Sequence, residues 1–275
     1  MDTIIFGDGN LGRAIAAGFA TERAAAREQD ELATGGEPGD HLPRILGRPA
    51  SGRHDPRDLG SPGLVVDASR GDAVVGNVAA ALAAGCRRFV VATTGWDDDR
   101  AAVDTALRDH RATGVVAANL SLGVALFGRL VDRAVELLGP LEAFDPYLVE
   151  WHRRTKTDRP SGTARELSRR IIAAHPRKRR LHDPTSGGPP EPDQLDVAVI
   201  RAGASPGMHL VGFDAPGETI ELRLTARDRS AYVAGALAAA SWLAAAPRPT
   251  GIVEFGAIVD DLIDSRPARP LARVG

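Results

Sequence analysis

The order of patterns along the chain predicts an α/β protein: a Rossmann-type, doubly wound parallel sheet plus a second α+β domain with a mostly antiparallel open sheet. Three observations carry this. Before residue 121, short apolar runs alternate with helical patterns, which implies parallel strands joined by crossover helices. A glycine-rich turn, Gly7-Asp8-Gly9-Asn10-Leu11-Gly12, separates the first run from the first helix. Between residues 195 and 225, three strand-like runs follow one another without a helix.

Composition sets the outer bounds. The 275 residues suffice for one large or two ordinary domains, and 43% hydrophobic with 25% charged residues is usual for a globular protein. A net charge of -2 gives no global attraction to nucleic acid or anionic membrane. Cys86 stands alone, so neither an intramolecular disulfide nor a thiolate metal site is expected, and no metal is predicted. No apolar run reaches the ~18 residues that span a bilayer. The chain opens on a strand rather than a signal-peptide pattern, so a cytoplasmic location is expected.

The elements follow in order. Thr3-Ile4-Ile5-Phe6 reads as a strand, and residues 13–20 as a helix. The G-x-G-x-x-G turn between them fits dinucleotide binding. Gly7 allows the tight turn, Gly9 lets a pyrophosphate approach the backbone, and Gly12 lets helix and strand pack. Asn10 and Leu11 complete that loop. The bland alternative is a tight strand-helix turn that binds nothing. Residues 21–43 read as a helix extension running into a Gly-rich flexible insert. Arg44-Ile45-Leu46 is the second strand, closed by Gly47 and Arg48. An acid at that end would take the ribose hydroxyls of NAD. A guanidinium without an acid suits a 2′-phosphate, so NADPH is favoured over NADH.

Residues 63–69 form the next strand, and its polar exit includes Ala68 and Ser69. A helix over 72–84, a strand from Arg88 and a Thr93-Thr94-Gly95-Trp96 exit follow. After a helix over 97–111 comes a strand from Val115 whose exit is Ala118-Asn119-Leu120-Ser121. Ligands in such sheets sit outside the carboxyl ends of the strands, where these segments fall. A long helix spans 122–138 and stops at Gly139-Pro140.

Tyr147-Leu148-Val149 reads as a strand leading into Glu150-Trp151-His152-Arg153-Arg154-Thr155-Lys156-Thr157-Asp158-Arg159-Pro160-Ser161-Gly162-Thr163-Ala164. A helix follows, with Ser161 a good N-cap. The amides of Gly162 and Thr163 would then point out of the helix start, where an anion binds well. His152 is the side chain here that changes charge near neutral pH. A solvated, charged loop before a capped helix is the plain alternative. Residues 176–193 hold a basic run, Arg177-Lys178-Arg179-Arg180, and read as an exposed flexible loop. No aromatic interleaves there, which argues against nucleic acid. Strands over 195–201, 208–214 and 219–225 and helices over 231–245 and 256–263 complete the chain. His54, His110, His175 and His182 fall in loops or helix ends and read as surface residues.

The stretch from Glu150 to Ala164 closely resembles the signature of dihydrodipicolinate reductases, Glu-x-His-His-x-x-Lys-x-Asp-Ala-Pro-Ser-Gly-Thr-Ala. Glu150, His152, Lys156, Asp158 and Pro160 to Ala164 match. Arg153 stands where the family has its second His, and Arg159 where it has Ala. Thr93-Thr94-Gly95-Trp96, Ala118-Asn119-Leu120-Ser121, Arg201-Ala202-Gly203 and Gly207-Met208-His209 resemble further landmarks, with Met208 replacing a usual Glu.

The resemblance implies a dinucleotide-binding domain over 1–121 and 229–275, and a substrate-binding and oligomerisation domain over 122–228. It implies NADPH or NADH as cofactor, held by Gly7, Gly9, Asn10, Leu11, Gly12, Arg48, Ala68, Ser69, Thr93, Thr94, Gly95, Ala118, Asn119 and Leu120. The substrate would be a cyclic imine dicarboxylate of diaminopimelate and lysine synthesis, and the assembly a homotetramer. On this reading His152 is the general acid and Lys156 stabilises developing charge. Arg153, Ser161, Gly162 and Thr163 bind substrate carboxylates, and Asp158 is a structural partner for cations. A paralogous reductase of another cyclic imine acid and a non-catalytic NADPH-binding regulator are the rival readings.

Overall fold

The computed structural model describes residues 1–34, 42–117, 119–183, 185, 187–245 and 247–264. The Gly-rich part of the insert (residues 35–41) and Ala118 therefore lie outside the described residues. The strands in chain order are β1 (Thr3–Phe6), β2 (Arg44–Leu46), β3 (Leu64–Asp67), β4 (Arg88–Val91), β5 (Thr113–Val116), β6 (Asp145–His152), β7 (Arg180–Leu181), β8 (Gln194–Arg201), β9 (Met208–Ala215), β10 (Glu218–Thr225) and β11 (Gly251–Glu254). The helices are α1 (Asn10–Thr34), α2 (Pro56–Leu59), α3 (Val74–Ala83), α4 (Arg100–Asp109), α5 (Leu122–Leu138), α6 (Gly162–Ala174), α7 (Ser230–Ala245) and α8 (Phe255–Asp264). The chain divides into two compact units, residues 1–122 with the segment from Arg229 onward, and Gly123–Asp228.

The first unit is a parallel six-stranded sheet in the order β11-β5-β4-β3-β1-β2. Strands β1, β3 and β5 are buried along their whole length, as expected where helices cover both faces. On one face Ile4, Phe6, Val65 and Phe89 pack with Val74, Val78 and Leu82 of α3 and Val103 and Leu107 of α4. The opposite face takes α1, whose Gly12 lies over Ile5 and whose Gly18 lies against Val233 of α7. Strand order reverses at β1, which has β2 on one side and β3 on the other. In such sheets ligands bind beyond the carboxyl ends of the strands at the switch point, here β1 and β3. Strand β11 was not visible as a strand in the sequence, because its four residues, Gly251–Glu254, run directly into the helix that starts at Phe255. It adds to the sheet edge beside β5, and Ile252 N–H also bonds Asp104 Oδ1 at 2.7 Å.

The second unit is α+β, and its sheet is mixed, with the longer ladders antiparallel. In the order β10-β9-β6-β8-β7, β9 runs antiparallel to both β10 and β6, while β8 runs parallel to β6 and β7. The α6 connection between β6 and β8 explains the parallel pairing, since a crossover helix returns the chain in the same direction. One face buries Leu148, Leu195, Val211 and Phe213 beneath Phe127, Val131 and Val135 of α5 and Leu167 and Ile171 of α6. Period-two alternation puts Tyr147, Val149 and Trp151 on the other, open face.

The basic run 177–180 is not the exposed flexible loop that its charge suggested. Arg177 donates to the carbonyls of Gly139, Leu141 and Phe144, and Arg179 donates to those of His175, Pro176 and Lys178. Lys178 is buried and its Nζ lies 2.5 Å from Asp145 Oδ1. These cations satisfy carbonyls where α5 and α6 end, a role that helix C-termini favour. His175 is likewise buried rather than superficial, and its Nδ1 accepts from the amides of Arg177 and Lys178, each at 3.1 Å. Burial, and then the neighbouring cations Arg177 and Lys178, bring its pKa down to about 4.

That imidazole makes the fold acid-sensitive. The unfolded chain takes up a proton near pH 6.5, while the folded imidazole resists until about pH 4. Stability is therefore full above pH 6.5 and is lost as pH falls through that window, by on the order of 3 kcal/mol. Urea unfolding at pH 7 and pH 4.5 should show a larger loss in the wild type than in His175→Asn. Equal losses would remove His175 from the account.

Candidate active site

At the switch point the predicted nucleotide loops converge. Gly7 has φ +104°, a conformation that favours glycine, and a Cβ there would collide with the Ala68 carbonyl. A Cβ at Gly12 would collide with the Gly7 carbonyl, whereas one at Gly9 would meet no protein atom within 4 Å. Two glycines thus close the loop on the protein, and the third leaves a bare backbone surface at the start of α1, beside exposed Asn10. This fits a dinucleotide pyrophosphate, whose oxygens need close access to backbone N–H groups at a helix N-terminus.

A buried carboxylate that sequence reasoning left unassigned organises the neighbouring loops. Asp67 Oδ1 accepts from Ser69 N (3.0 Å), Ser69 Oγ (2.7 Å) and Thr93 Oγ1 (2.7 Å), and its Oδ2 accepts from Asn77 Nδ2 (2.9 Å). Trp96 Nε1 donates to the Thr93 carbonyl at 2.8 Å, and Gly71 packs against Gly95. Gly7, Ala68, Ser69, Thr93 and Gly95 are thereby brought together, with Thr94 exposed on the same loop. The signal was present: an acid closing an apolar strand must find donors if it is buried.

The remaining predicted cofactor residues are less uniform. Arg48 is exposed and its Nη1 lies 3.4 Å from Asp72 Oδ2, while Arg70 Nε bonds the other oxygen, Oδ1, of the same carboxylate. A Cβ at Gly47 would lie 3.2 Å from Asp8 Oδ2, so an acid of the glycine-rich turn stands beside the end of β2. Asn119 Oδ1 accepts from Ser121 N at 2.9 Å, leading into α5. Leu11 is half-buried, and Leu120 is buried with its carbonyl pressed on Gly235 of α7, so Leu120 offers no side chain to a ligand.

The second unit holds the signature stretch. Glu150 and His152 are two residues apart on β6, so both face the helices, and both are buried. Glu150 Oε1 accepts from Ser161 N (2.9 Å) and Arg201 Nη2 (2.8 Å). Its Oε2 lies 3.4 Å from His152 Nδ1 and 3.7 Å from His209 Nε2. Burial alone would raise the Glu150 pKa. The nearby His209 ring and the hydrogen bonds from Ser161 and Arg201 outweigh it and hold the carboxyl well below its usual range. Burial, and then the nearby His209, Lys156 and Arg201, bring His152 down to about 4, against the opposing pull of Glu150. Glu150, His152 and His209 have the spacing of a metal-binding group. The Arg201 guanidinium on the same carboxylate already supplies a positive charge, which disfavours a second cation there.

Lys156 Nζ sits between both oxygens of Asp158, at 2.7 and 2.9 Å. Ser161 caps α6 by accepting from Ala164 N at 3.1 Å, and its Oγ lies 3.3 Å from His209 Nε2. Its amide and hydroxyl thus both have partners within the protein. Gly162 is exposed and Thr163 half-buried at the first turn of the helix. Arg153 is exposed, with its backbone amide bonded to the Ser205 carbonyl at 2.7 Å.

Comparison with known proteins bears on this geometry. The family model for the dihydrodipicolinate reductase C-terminus matches residues 123–258, which hold the whole Glu150 cluster. A 4-hydroxy-tetrahydrodipicolinate reductase of Methanoregula boonei is 36% identical over 183 residues, covering 66% of this chain and 69% of that protein. One of Rhodopseudomonas palustris is 34% identical over 72% of this chain and 74% of its own. The chain belongs to the dihydrodipicolinate reductase family. A dihydrodipicolinate reductase from Paenisporosarcina sp. TG-14, solved with dipicolinate bound, shares the fold with a TM-score of 0.67 over 92% of this chain and 97% of that one, at 16% identity. As a reductase of this family with a Rossmann-type unit, the chain takes a nicotinamide cofactor, and its substrate is a small molecule. Among the described residues no helix is long and apolar enough to cross a membrane.

Proposed function

We propose that this chain is the NAD(P)H-dependent 4-hydroxy-tetrahydrodipicolinate reductase of diaminopimelate and lysine biosynthesis, forming tetrahydrodipicolinate. The observation that carries the reading is the cluster of a buried imidazole, a half-buried ammonium and a capped helix start within one short stretch of chain. The unit of residues 1–122 and 229 onward is the dinucleotide-binding domain, and Gly123–Asp228 binds substrate. NADPH is the favoured cofactor, because Gly47 offers no carboxylate at the end of β2 and Arg48 offers a guanidinium. Asp8, beside Gly47, is an acceptor for ribose hydroxyls, which lets NADH serve as well.

When bound, the reduced nicotinamide supplies a hydride. The protein does the rest. The Gly162 and Thr163 amides with the Thr163 hydroxyl take one substrate carboxylate at the α6 N-terminus, and Arg153 takes carboxylate charge from the loop. Lys156 stabilises the negative charge that builds on the ring as hydride arrives. His152 delivers the proton that quenches it. Its low pKa makes it neutral in the free protein at neutral pH. A bound dicarboxylate places negative charge beside it and raises its proton affinity. Four chains assemble through the open sheet face that carries Trp151 and Ile200, each more than a third exposed. Light scattering should then return a tetramer mass.

Arg153 and Arg159 depart from the signature and favour a second reading, a paralogue reducing another cyclic imine acid. Turnover of freshly generated dihydrodipicolinate, set against monocarboxylic cyclic imines, decides between them. Dihydrodipicolinate should have the highest kcat/KM. A monocarboxylate ahead of it would favour the paralogue, and NADPH binding without any turnover would favour a regulator.

A further inference from the structure

We propose that Glu150 is the positioning residue of the proton donor: it fixes His152 in the orientation and tautomer that leave Nε2 to face substrate. The proposal rests on the reading of His152 as general acid and names what sets that acid up.

Oxygen Oε1 of Glu150 has two full hydrogen bonds, from Ser161 N and Arg201 Nη2. Among the described residues Oε2 has no partner within hydrogen-bond distance, His209 Nε2 lying 3.7 Å away, and neither does His152 Nδ1, although both atoms are buried and face each other at 3.4 Å. Buried polar atoms are rarely left in this condition, and each supplies what the other lacks. A proton on Nδ1 satisfies both at once. Nδ1 being held inward, Nε2 points the other way, toward Gly207. A Cβ there would lie 2.9 Å from Nε2, and Gly207 has φ +154°. Glycine at 207 therefore keeps space beside the nitrogen that must reach a ligand.

The charges around His152 come from every neighbouring element. Glu150 lies on its own strand, Arg201 on β8, His209 on β9, and Lys156 with Asp158 in the following loop. Of these, Glu150 is the group close enough to favour an imidazolium directly, while Arg201, Lys156 and a protonated His209 oppose it. The His152 and His209 rings meet edge to face, 5.2 Å between centroids, so the same carboxylate oxygen also spaces the two imidazoles. Glu150 further ties His152 to the helix that carries Gly162 and Thr163, through the Ser161 amide. Donor and carboxylate clamp are thus set by one buried side chain, a supporting arrangement that active-site histidines commonly need.

The test compares wild type, Glu150→Gln and Glu150→Asp. Nitrogen-15 NMR of the imidazoles should show neutral His152 protonated on Nδ1 in the wild type and on a mixture of both nitrogens in Glu150→Gln. The kcat limb that reports the donor should move to lower pH in Glu150→Gln, with kcat reduced about 10- to 100-fold and KM for the substrate little changed. Glu150→Asp keeps the charge and should keep the tautomer and most of the limb, which covers the case where Glu150→Gln fails to fold. An unchanged tautomer and an unmoved limb in a folded Glu150→Gln would overturn the proposal. If His152→Gln also leaves the limb in place, the general-acid reading itself fails. If that variant removes the limb, only the role of Glu150 fails.

Discussion

Lys156→Ala lowers kcat by about two to three orders of magnitude, the cost of losing one preorganised charge at a developing anion, and leaves NADPH affinity at the wild-type value. The reason lies in what the ammonium touches. Among the described residues the Lys156 ammonium bonds the carboxylate of Asp158, whose side chain is 40% exposed. Removing the ammonium strands no buried charge, so stability should fall by no more than about 1 kcal/mol. The loss must then appear in chemistry, because substrate charge has nothing equivalent to lean on. Steady-state kinetics with a thermal melt of the same preparation checks this. Equal losses of turnover, cofactor affinity and melting temperature would make Lys156 a folding residue instead.

His152→Gln should reduce kcat by about 10²- to 10⁴-fold, the range for loss of a general acid, and abolish the limb on which activity falls with rising pH. The sign follows from the acid role: the protonated imidazole is the competent form, so activity declines as pH rises through its pKa. In the free protein burial brings that pKa down to about 4. The substrate dicarboxylate moves it upward, so the limb in kcat should lie at higher pH than the limb in kcat/KM. Glutamine fills a similar space and donates a hydrogen bond but no proton. A full pH profile for both proteins checks the prediction. A limb that survives the substitution would assign the proton to another group.

The elements that sequence made legible were those with a strong local pattern. The Gly7–Gly12 turn, the fully buried strands of the first unit and the Ser161 cap each have a short-range cause. Each stands where the pattern put it. Misses came where a distant partner decided the outcome. The four residues of β11 could not announce a strand whose partner, β5, lies over a hundred residues earlier. Alternation over 195–225 marked strands but not their direction, and the α6 crossover made β6 and β8 parallel. The cations at 177–180 looked solvated because their acceptors, carbonyls near residues 139–144, are invisible to local composition.

The candidate site divides the same way. His152, Lys156 and the α6 N-terminus were readable from one ungapped stretch. Glu150 was matched to the signature but given no role, and Asp67 was given none, because an acid in an apolar run carries no local sign of which groups will donate to it. Asp67 draws them from Ser69, Asn77 and Thr93, and Glu150 from Ser161 and Arg201. Ser161 is read as a substrate contact because its motif sits at an anion-binding helix start, and the structure shows its polar atoms also serving the cap and Glu150.

The most direct test of the account is a single-turnover reduction with dihydrodipicolinate as sole acceptor and NADPH deuterated at the transferred position of its nicotinamide. If the protein brings a hydride donor and the His152–Lys156 cluster onto one cyclic dicarboxylate, tetrahydrodipicolinate should carry a single deuterium from the cofactor. Its yield should match NADPH consumed and collapse in Lys156→Ala. NADPH that is bound but not consumed, or a product without cofactor deuterium, would contradict it.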